Sequence, residues 1–134
     1  MDLSIFEPVK DGVFVQLRSP ISNEPLADDK GKAIGLRLVG ADSAEFRDYQ
    51  RNAINFRIQQ GKKLKVSAES SEADAIAQLA ACIVGFENIE LDGKPLAFSK
   101  ESAKDMLKRL SWVFEQVNEA VVDRSLFLKA SQKS

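Results

Sequence analysis

Two short stretches near the amino terminus alternate apolar and polar side chains. Residues 13–18 place Val13 and Val15 on one face, and residues 34–40 repeat this period of two. Such alternation is typical of half-buried strands, so the pattern predicts an antiparallel strand pair. The connection between the two strands is rich in turn-forming residues and predicts an exposed loop, where binding residues are common.

Helical spacing begins after this strand pair. The stretch Asp42-Ser43-Ala44-Glu45 has the residue types of a capping box, with Asp42 accepting from the first-turn amides and Glu45 reaching back. Apolar residues then follow at intervals of three and four: Phe46, Tyr49, Ala53 and Phe56. We therefore predict a first helix over residues 43–60, stopped by Gly61.

A second helix is predicted from an alanine-rich segment. Ser71 is suited to cap its start, and Gly85 is suited to end it. Its apolar side would comprise Ala73, Ile76, Ala77, Ala80, Ile83 and Val84. Because this segment is unusually apolar for a surface element, we expect the helix to be central in the fold.

A joint between two helices is indicated by the next residues. Residues 86–91 alternate weakly, and Asp92-Gly93 is a strong signal for a tight turn. Pro95 favours an extended return segment, and Ser99 has the character of a helix cap. The sequence therefore predicts a hairpin-like joint that requires no catalytic role.

The carboxyl-terminal third predicts one long or kinked helix to about residue 126, with Ser111 as a possible break. Its apolar stripe consists of Ala103, Leu107, Leu110, Phe114, Val117, Val121 and Leu128, with Met106 and Val113 beside it. At 100° per residue, other side chains fall away from that stripe: Trp112, Gln116, Glu119, Asp123 and Phe127. The tail, residues 129–134, is small and polar, and we expect it to be frayed.

The composition narrows the possible chemistry. The 134 residues include no histidine and a single cysteine, Cys82, so His-dependent nucleophilic pairs and disulfides are excluded. Cys82 lies in an apolar run, which favours a buried inert thiol over a nucleophile. A formal net charge of −1 does not support a general role in binding polyanions. An enzyme would have to use carboxylates, lysines or a bound cofactor.

Acidic pairs do not have the spacing of a known metal site. Asp28-Asp29 and Glu87 with Glu90 lack the pattern of a calcium loop, and the glycines form no phosphate-binding loop. We therefore expect no metal and no cofactor. A hydrolase based on a carboxylate pair stays open, because the sequence does not give the distance between the side chains.

The basic residues of the first helix and Trp112 each have both a structural and a functional interpretation. Arg47 and Arg51 lie one turn apart on the first helix, and more basic residues follow at Arg57, Lys62, Lys63 and Lys65. This run is either a solvated face or a contact surface for an acidic partner or a nucleic acid. Trp112 is either a partly buried core residue or a contact residue, because tryptophan is enriched at binding hot spots.

Several short motifs follow one another along most of the chain. Early motifs are Glu24-Pro25-Leu26 and Gly40-Ala41-Asp42-Ser43. Later ones are Gly85-Phe86-Glu87-Asn88, Asp92-Gly93-Lys94-Pro95, Phe98-Ser99-Lys100-Glu101-Ser102-Ala103 and the closing Glu115-Gln116-Val117 and Asp123-Arg124-Ser125-Leu126-Phe127-Leu128. In this order they resemble the tail assembly chaperones of lambda-like siphophages and related prophages, although Ser102 stands where that pattern leads us to expect asparagine.

This resemblance implies a non-catalytic assembly factor in the cytoplasm of the bacterial host. Such chaperones coat the tape measure protein, keep it soluble and help recruit tail tube subunits, and they are absent from the finished virion. A longer form made by ribosomal frameshifting typically contacts the tail tube protein. Self-association is expected, since many weak contacts along a long client add up by avidity. We expect no nucleic acid and no membrane among the partners.

The sequence thus predicts an α+β, mainly helical single domain over residues 1–134. Residues 12–40 would form an amino-terminal antiparallel strand pair and its loop, residues 42–128 a helical body of about four helices, and residues 129–134 a flexible tail. Candidate residues for partner binding, chosen by helical face, are Arg47, Arg51, Trp112, Gln116, Asp123 and Phe127. The alternative function is a structural minor tail or connector protein that is retained in the virion.

Overall fold

In the described part of the chain, groups of strands are followed by pairs of helices. The computed structural model describes residues 1–60 and 68–132. Its regular elements are β1 (Val13–Gln16), β2 (Gly35–Leu38), α1 (Ala44–Gln60), α2 (Ala68–Ala81), β3 (Ile83–Glu87), β4 (Glu90–Leu91), β5 (Lys94–Pro95), α3 (Lys100–Arg109) and α4 (Ser111–Val122). A short 3-10 helix, Leu3–Phe6, precedes them, and two more, Arg124–Leu126 and Lys129–Gln132, follow them.

The main sheet has three antiparallel strands in the order β1-β2-β3. The predicted amino-terminal pair is present, with Val13 opposite Leu38. Its third strand comes from the middle of the chain, where Phe86 lies opposite Leu36. The α+β class is therefore correct, but the prediction that strands occur only at the amino terminus is wrong.

The error arises at the end of the second helix. We predicted that this helix would include Ile83 and Val84, whereas α2 ends at Ala81 and β3 begins at Ile83. Both residues are β-branched, and such side chains favour a strand when a free strand edge is near. Since β2 offers that edge, tertiary pairing decides the local structure. The prediction that Ser71 caps the start of this helix is also wrong, because α2 begins at Ala68.

The predicted joint between helices is a second small sheet. β4 and β5 pair antiparallel, with Leu91 opposite Lys94. Asp92 and Gly93 have φ angles of 55° and 78°, as the predicted tight turn requires. The Ser99 cap is also confirmed, because the Ser102 amide donates to Ser99 Oγ at 3.0 Å and the Ser99 amide donates to Ser102 Oγ at 2.9 Å.

The carboxyl-terminal helical region is broken where the sequence indicated. α3 ends at Arg109 and α4 begins at Ser111, with Leu110 between them in a non-helical conformation. α4 ends at Val122, earlier than predicted. Asp123 then caps a 3-10 helix by accepting from the Ser125 amide at 3.2 Å, and this turn redirects the chain.

The core lies between one face of the main sheet and helices α2, α3 and α4. Its largest fully buried side chains are Leu36, Leu38, Val39, Cys82, Ile83, Met106, Leu107, Val113, Val117 and Val121. α2 contributes the buried side chains of Ile76, Leu79 and Ala80. Most of the predicted apolar stripe of the last two helices therefore faces the core. Leu110 and Phe114 are only half-buried and pack against its margin.

The start of α1 differs from the predicted capping box. Ser43 is the capping residue, since its Oγ accepts from the Phe46 amide at 3.2 Å. Asp42 instead accepts two hydrogen bonds from the Arg124 guanidinium, at 2.6 and 3.2 Å. The side chains of Ala53, Phe56 and Arg57, the stop at Gly61 and the basic residues Lys62, Lys63 and Lys65 lie outside the described part of the chain.

The two ends of the described chain are joined. The Val9 amide donates to the Phe127 carbonyl at 2.7 Å, and the Lys129 amide donates to the Glu7 carbonyl at 2.9 Å. Residues Lys129–Gln132 form a 3-10 helix where we expected a frayed tail. The last two residues, 133 and 134, lie outside the described part of the chain.

Lys100 closes the carboxyl end of α2. Its ammonium donates to the carbonyls of Ala80, Ala81 and Ile83 at 3.2, 3.4 and 2.7 Å. These carbonyls need partners because the end of a helix leaves its last acceptors unsatisfied. Burial lowers the pKa of Lys100. The residue therefore links α3 to the turn between α2 and β3.

Replacing this ammonium should weaken the fold. We expect Lys100→Met to lower the free energy of unfolding by about 1–3 kcal/mol, because charge-assisted hydrogen bonds are lost and carbonyls stay unpaired. Urea denaturation measures the change. Lys104→Met is the matched control, since Lys104 only makes a 3.8 Å pair with Glu101, and we expect an effect below about 0.5 kcal/mol. Equal losses would show that the Lys100 contacts contribute nothing specific.

Candidate functional site

An open cleft of about 600 Å³ lies beside the break between α3 and α4. Three parts of the chain form it: the loop after β1, the segment at β4, and the helix ends around Leu110. Its lining residues are Leu17, Leu26, Asp28, Asp29, Lys30, Ile34, Asn88, Ile89, Glu90, Leu91, Met106, Leu110, Trp112 and Val113. The predicted binding loop therefore contributes one wall of the cleft.

The interior of the cleft is apolar. Leu17, Met106 and Val113 belong to the buried core and provide the base. Leu26 and Trp112 are half-buried and pack against that core from opposite parts of the chain. A concave apolar surface of this size is the usual character of a binding site.

Asp28 organises the wall that the loop provides. Its Oδ1 accepts from the backbone amides of Lys30 and Lys32, both at 2.9 Å. Its Oδ2 accepts from the Asn88 side-chain amide at 2.8 Å. The hydrogen bond from the Lys32 amide, followed by that from Asn88, lowers the pKa of Asp28, so the carboxylate is ionised at neutral pH.

Asn88 connects this loop to the β4 segment. Its backbone has a φ of 62°, a left-handed conformation that asparagine tolerates better than most residues. Its side-chain amide also approaches the Lys32 carbonyl, at 3.3 Å. The residue therefore serves both the turn after β3 and the shape of the cleft.

The mouth of the cleft is predominantly acidic. Asp28, Asp29 and Glu90 line it, with Lys30 as the one lining cation. Asp29 and Glu90 are exposed, and neither side chain forms an ion pair with any residue in the described ranges. The lining residues thus have an excess of two negative charges, and the nearby charge of Lys32, which is not a lining residue, helps to lower the pKa of Asp28.

Of the six residues chosen from the sequence, Trp112 is the one that lines the cleft. Arg47 and Arg51 are exposed on α1, where Arg51 approaches Asp48 at 3.7 Å. They share a helix face but not a site with Trp112. The structure therefore separates these two arginines, one of whose interpretations was a contact surface, from Trp112.

Gln116 has a structural contact that the sequence did not reveal. Its Nε2 donates to the Arg18 carbonyl at 2.8 Å, and its Oε1 accepts from the Arg18 amide at 2.9 Å. The side chain thereby pairs with the backbone after β1 as a neighbouring strand would. Gln116 and the capping residue Asp123 both line a smaller groove of about 380 Å³.

Phe127 lies in the core, so its placement on an exposed helix face is wrong. It is 3% exposed and follows the 3-10 helix rather than continuing α4. Gly40 packs directly under its ring, and a Cβ at that position would come within 2.6 Å of Phe127 Cδ2. The residue is thus not accessible to a partner in this structure.

The residues that define the cleft were mostly missed by sequence reasoning. Met106 was assigned to the core stripe, and Asp28 was explained by turn preference. Both interpretations hold locally, but they do not show that the two residues meet at one surface. The one available signal was the loop after β1, whose turn-rich composition indicated an exposed segment.

The described residues offer little reactive chemistry. Cys82 is fully buried, and burial raises its pKa to about 12, which keeps the thiol protonated as predicted. In residues 1–60 and 68–132, no three Cys, Asp or Glu side chains group together as ligands for a metal ion. Over the same residues, each helix is too short or too polar to cross a membrane.

No protein-family model, curated protein or solved structure matches the chain.

Proposed function

We propose that this chain is a non-catalytic phage tail assembly chaperone that binds the tape measure protein and keeps it soluble. It works in the host cytoplasm as a homo-oligomer, helps to recruit tail tube subunits through a longer frameshifted form, and is absent from the mature virion. The observation that carries the proposal is the apolar cleft beside Trp112. It is an open surface suited to apolar side chains of a polypeptide client.

The shape of the cleft favours binding over catalysis. Its base consists of core side chains, and three of its charged lining residues, Asp29, Lys30 and Glu90, are exposed to solvent. Such a surface supplies apolar contact area and a charged margin, which is what a chaperone for an amphipathic client needs. Repetition of the cleft in an oligomer would let modest individual affinities hold a long client.

Contacts between the resembling motifs give further support. Asp42 of the Gly-Ala-Asp-Ser motif pairs with Arg124 of the closing motif at 2.6 Å. Gly40 of the first motif packs against Phe127 of the last. Leu26 and Asn88, from two other motifs, both line the cleft. Motifs that are distant in sequence therefore meet at two places, one between residues 40–42 and residues 124–127 and the other at the cleft.

Co-expression with the tape measure protein tests the proposal. We expect the client to be insoluble alone and to become soluble and co-purify when this chain is present. A client that stays insoluble with this chain and with its longer form would contradict a chaperone role. Mass spectrometry of purified particles tests the alternative, since a structural tail protein would be retained in stoichiometric amounts.

Trp112 should contribute more to client binding than to stability. We expect Trp112→Ala to weaken binding about tenfold or more, because an aromatic hot spot is lost. Since the side chain is only half-buried, the free energy of unfolding should fall by about 1–2 kcal/mol. Calorimetric binding and urea denaturation measure the two effects.

Phe114→Ala is the matched control for this prediction. Phe114 is a half-buried aromatic residue on the same helix, and it is not among the residues that line the cleft. It should lose similar stability while retaining client affinity. Equal loss of affinity in both variants would show that binding follows general stability rather than the cleft.

A further inference from the structure

The charge around the cleft indicates what kind of segment it accepts. We propose that the cleft binds a basic amphipathic segment, in which apolar side chains enter the cleft and a neighbouring lysine or arginine contacts Asp29 and Glu90. This inference rests on the proposed function and gives the client a stated chemistry. It differs from one alternative that the sequence left open, in which Arg47 and Arg51 contact an acidic partner.

The apolar part of the occupant follows from the interior of the cleft. Leu17, Met106 and Val113 form a base without charged groups, and Trp112 supplies a half-buried aromatic wall. A charged side chain inserted there would lose its hydration without a partner. The occupant must therefore present apolar side chains to the interior.

The basic part follows from the mouth. Asp29 and Glu90 are exposed carboxylates without an ion pair among the described residues, and Asp28 adds a third negative charge. Asp28 is held in place by three hydrogen bonds, so its charge does not move away when a ligand approaches. Lys30, which lines the cleft, and Lys32, whose charge acts on Asp28, offset part of this negative charge, and the carboxylates of Asp29 and Glu90 stay without an ion pair among the described residues. Complementarity therefore favours a cationic flank and disfavours an anionic one.

Lys32 is one further cation near the cleft, since its charge acts on Asp28, but neither Asp29 nor Glu90 forms an ion pair with a described residue. Arg47 and Arg51 are on α1 and do not line the cleft. Arg109 is near in sequence to the cleft helices, but its guanidinium is engaged by Asp92 at 2.6 and 2.8 Å. The acidic mouth is thus the electrostatic feature that a segment meets on entering the cleft.

Two synthetic peptides provide the direct test. Both have 18 residues and the same leucine and alanine face, and they differ only in having lysine or glutamate at the polar positions. Trp112 is the single tryptophan of the chain, so its fluorescence reports occupancy of the cleft, and calorimetry gives the dissociation constants. At low salt we expect the basic peptide to bind about tenfold more tightly, with a preference that shrinks as salt increases.

Variants with neutral side chains at the mouth test whether its carboxylates cause the preference for the basic peptide. In Asp29→Asn/Glu90→Gln the preference should fall to about threefold or less, because the shape is kept while two charges are removed. Asp11→Asn/Glu72→Gln removes the same charge at exposed positions that do not line the cleft and should retain the full preference. Circular dichroism checks that the two double variants are equally folded.

The outcomes separate this inference from the proposed function. Equal binding of both peptides, no binding of either, or a preference unchanged in the mouth variant would overturn the inference. The pull-down with the tape measure protein would still succeed if the chain is a chaperone that uses another surface. The pull-down could also fail while the charge preference depends on Asp29 and Glu90. In that case the cleft would bind basic amphipathic segments, but the tape measure protein would not be its client.

Discussion

Phe127→Ala should lower the free energy of unfolding by about 3–5 kcal/mol, the range for removing a buried aromatic side chain. The ring is 3% exposed and packs over Gly40, which belongs to the segment between β2 and α1. The Phe127 carbonyl also accepts from the Val9 amide at 2.7 Å. Loss of the ring therefore leaves a cavity where the two ends of the chain meet.

Urea denaturation measures this loss, and Val122→Ala is the control. Val122 is close in sequence but 66% exposed, so its truncation should change the free energy of unfolding by less than about 0.5 kcal/mol. Client affinity, measured on folded protein, should be unchanged in Phe127→Ala. A stable variant with weakened client binding would instead restore Phe127 as an exposed anchor.

The error at Phe127 shows where periodicity stops being informative. A rotation of 100° per residue predicts side-chain direction only while the helix continues. Because α4 ends at Val122 and Asp123 caps a 3-10 helix, Phe127 turns inward. The Asp-x-Ser spacing at residue 123 was the local signal for that end, since a short acidic side chain can accept from an amide two residues later.

Three local features were predicted correctly. The turn at Asp92-Gly93, the cap at Ser99 and the break at residues 110 and 111 each depend on a few adjacent residues. Backbone conformations with positive φ and side-chain caps require particular residue types, so the sequence shows them directly. The strands at residues 13–18 and 34–40 were also recognisable, since one face of each is apolar.

Contacts between distant segments were not predictable from local patterns. β3 forms because β2 has an edge available, and nothing within residues 83–87 specifies that partner. Gln116 pairs with Arg18 across 98 positions, and Arg124 pairs with Asp42 across 82. The cleft also assembles from three segments that are distant in sequence. A single sequence therefore shows which residue types are present but not that these residues come together.

A second large loss of stability is expected on truncation of Met106, which belongs to the core and also lines the cleft. Its side chain is 1% exposed, so Met106→Ala should lower the free energy of unfolding by about 2–5 kcal/mol. Met106→Leu nearly conserves the volume and should cost less than about 1.5 kcal/mol. Urea denaturation distinguishes these values, and a loss below 1 kcal/mol in the alanine variant would show that the core does not depend on this side chain.

Leu107→Ala is the control that shows whether a bound peptide fills the void left by Met106→Ala. Leu107 is equally buried but does not line the cleft, so its truncation leaves a sealed cavity. The void in Met106→Ala opens to the cleft, where a bound apolar side chain can enter it. Because a ligand stabilises the folded state it binds, saturating basic peptide should raise the melting temperature of both variants. We expect the larger rise in Met106→Ala, since filling the void adds contacts that Leu107→Ala cannot gain. An equal rise in both would mean that the bound segment does not reach the base of the cleft.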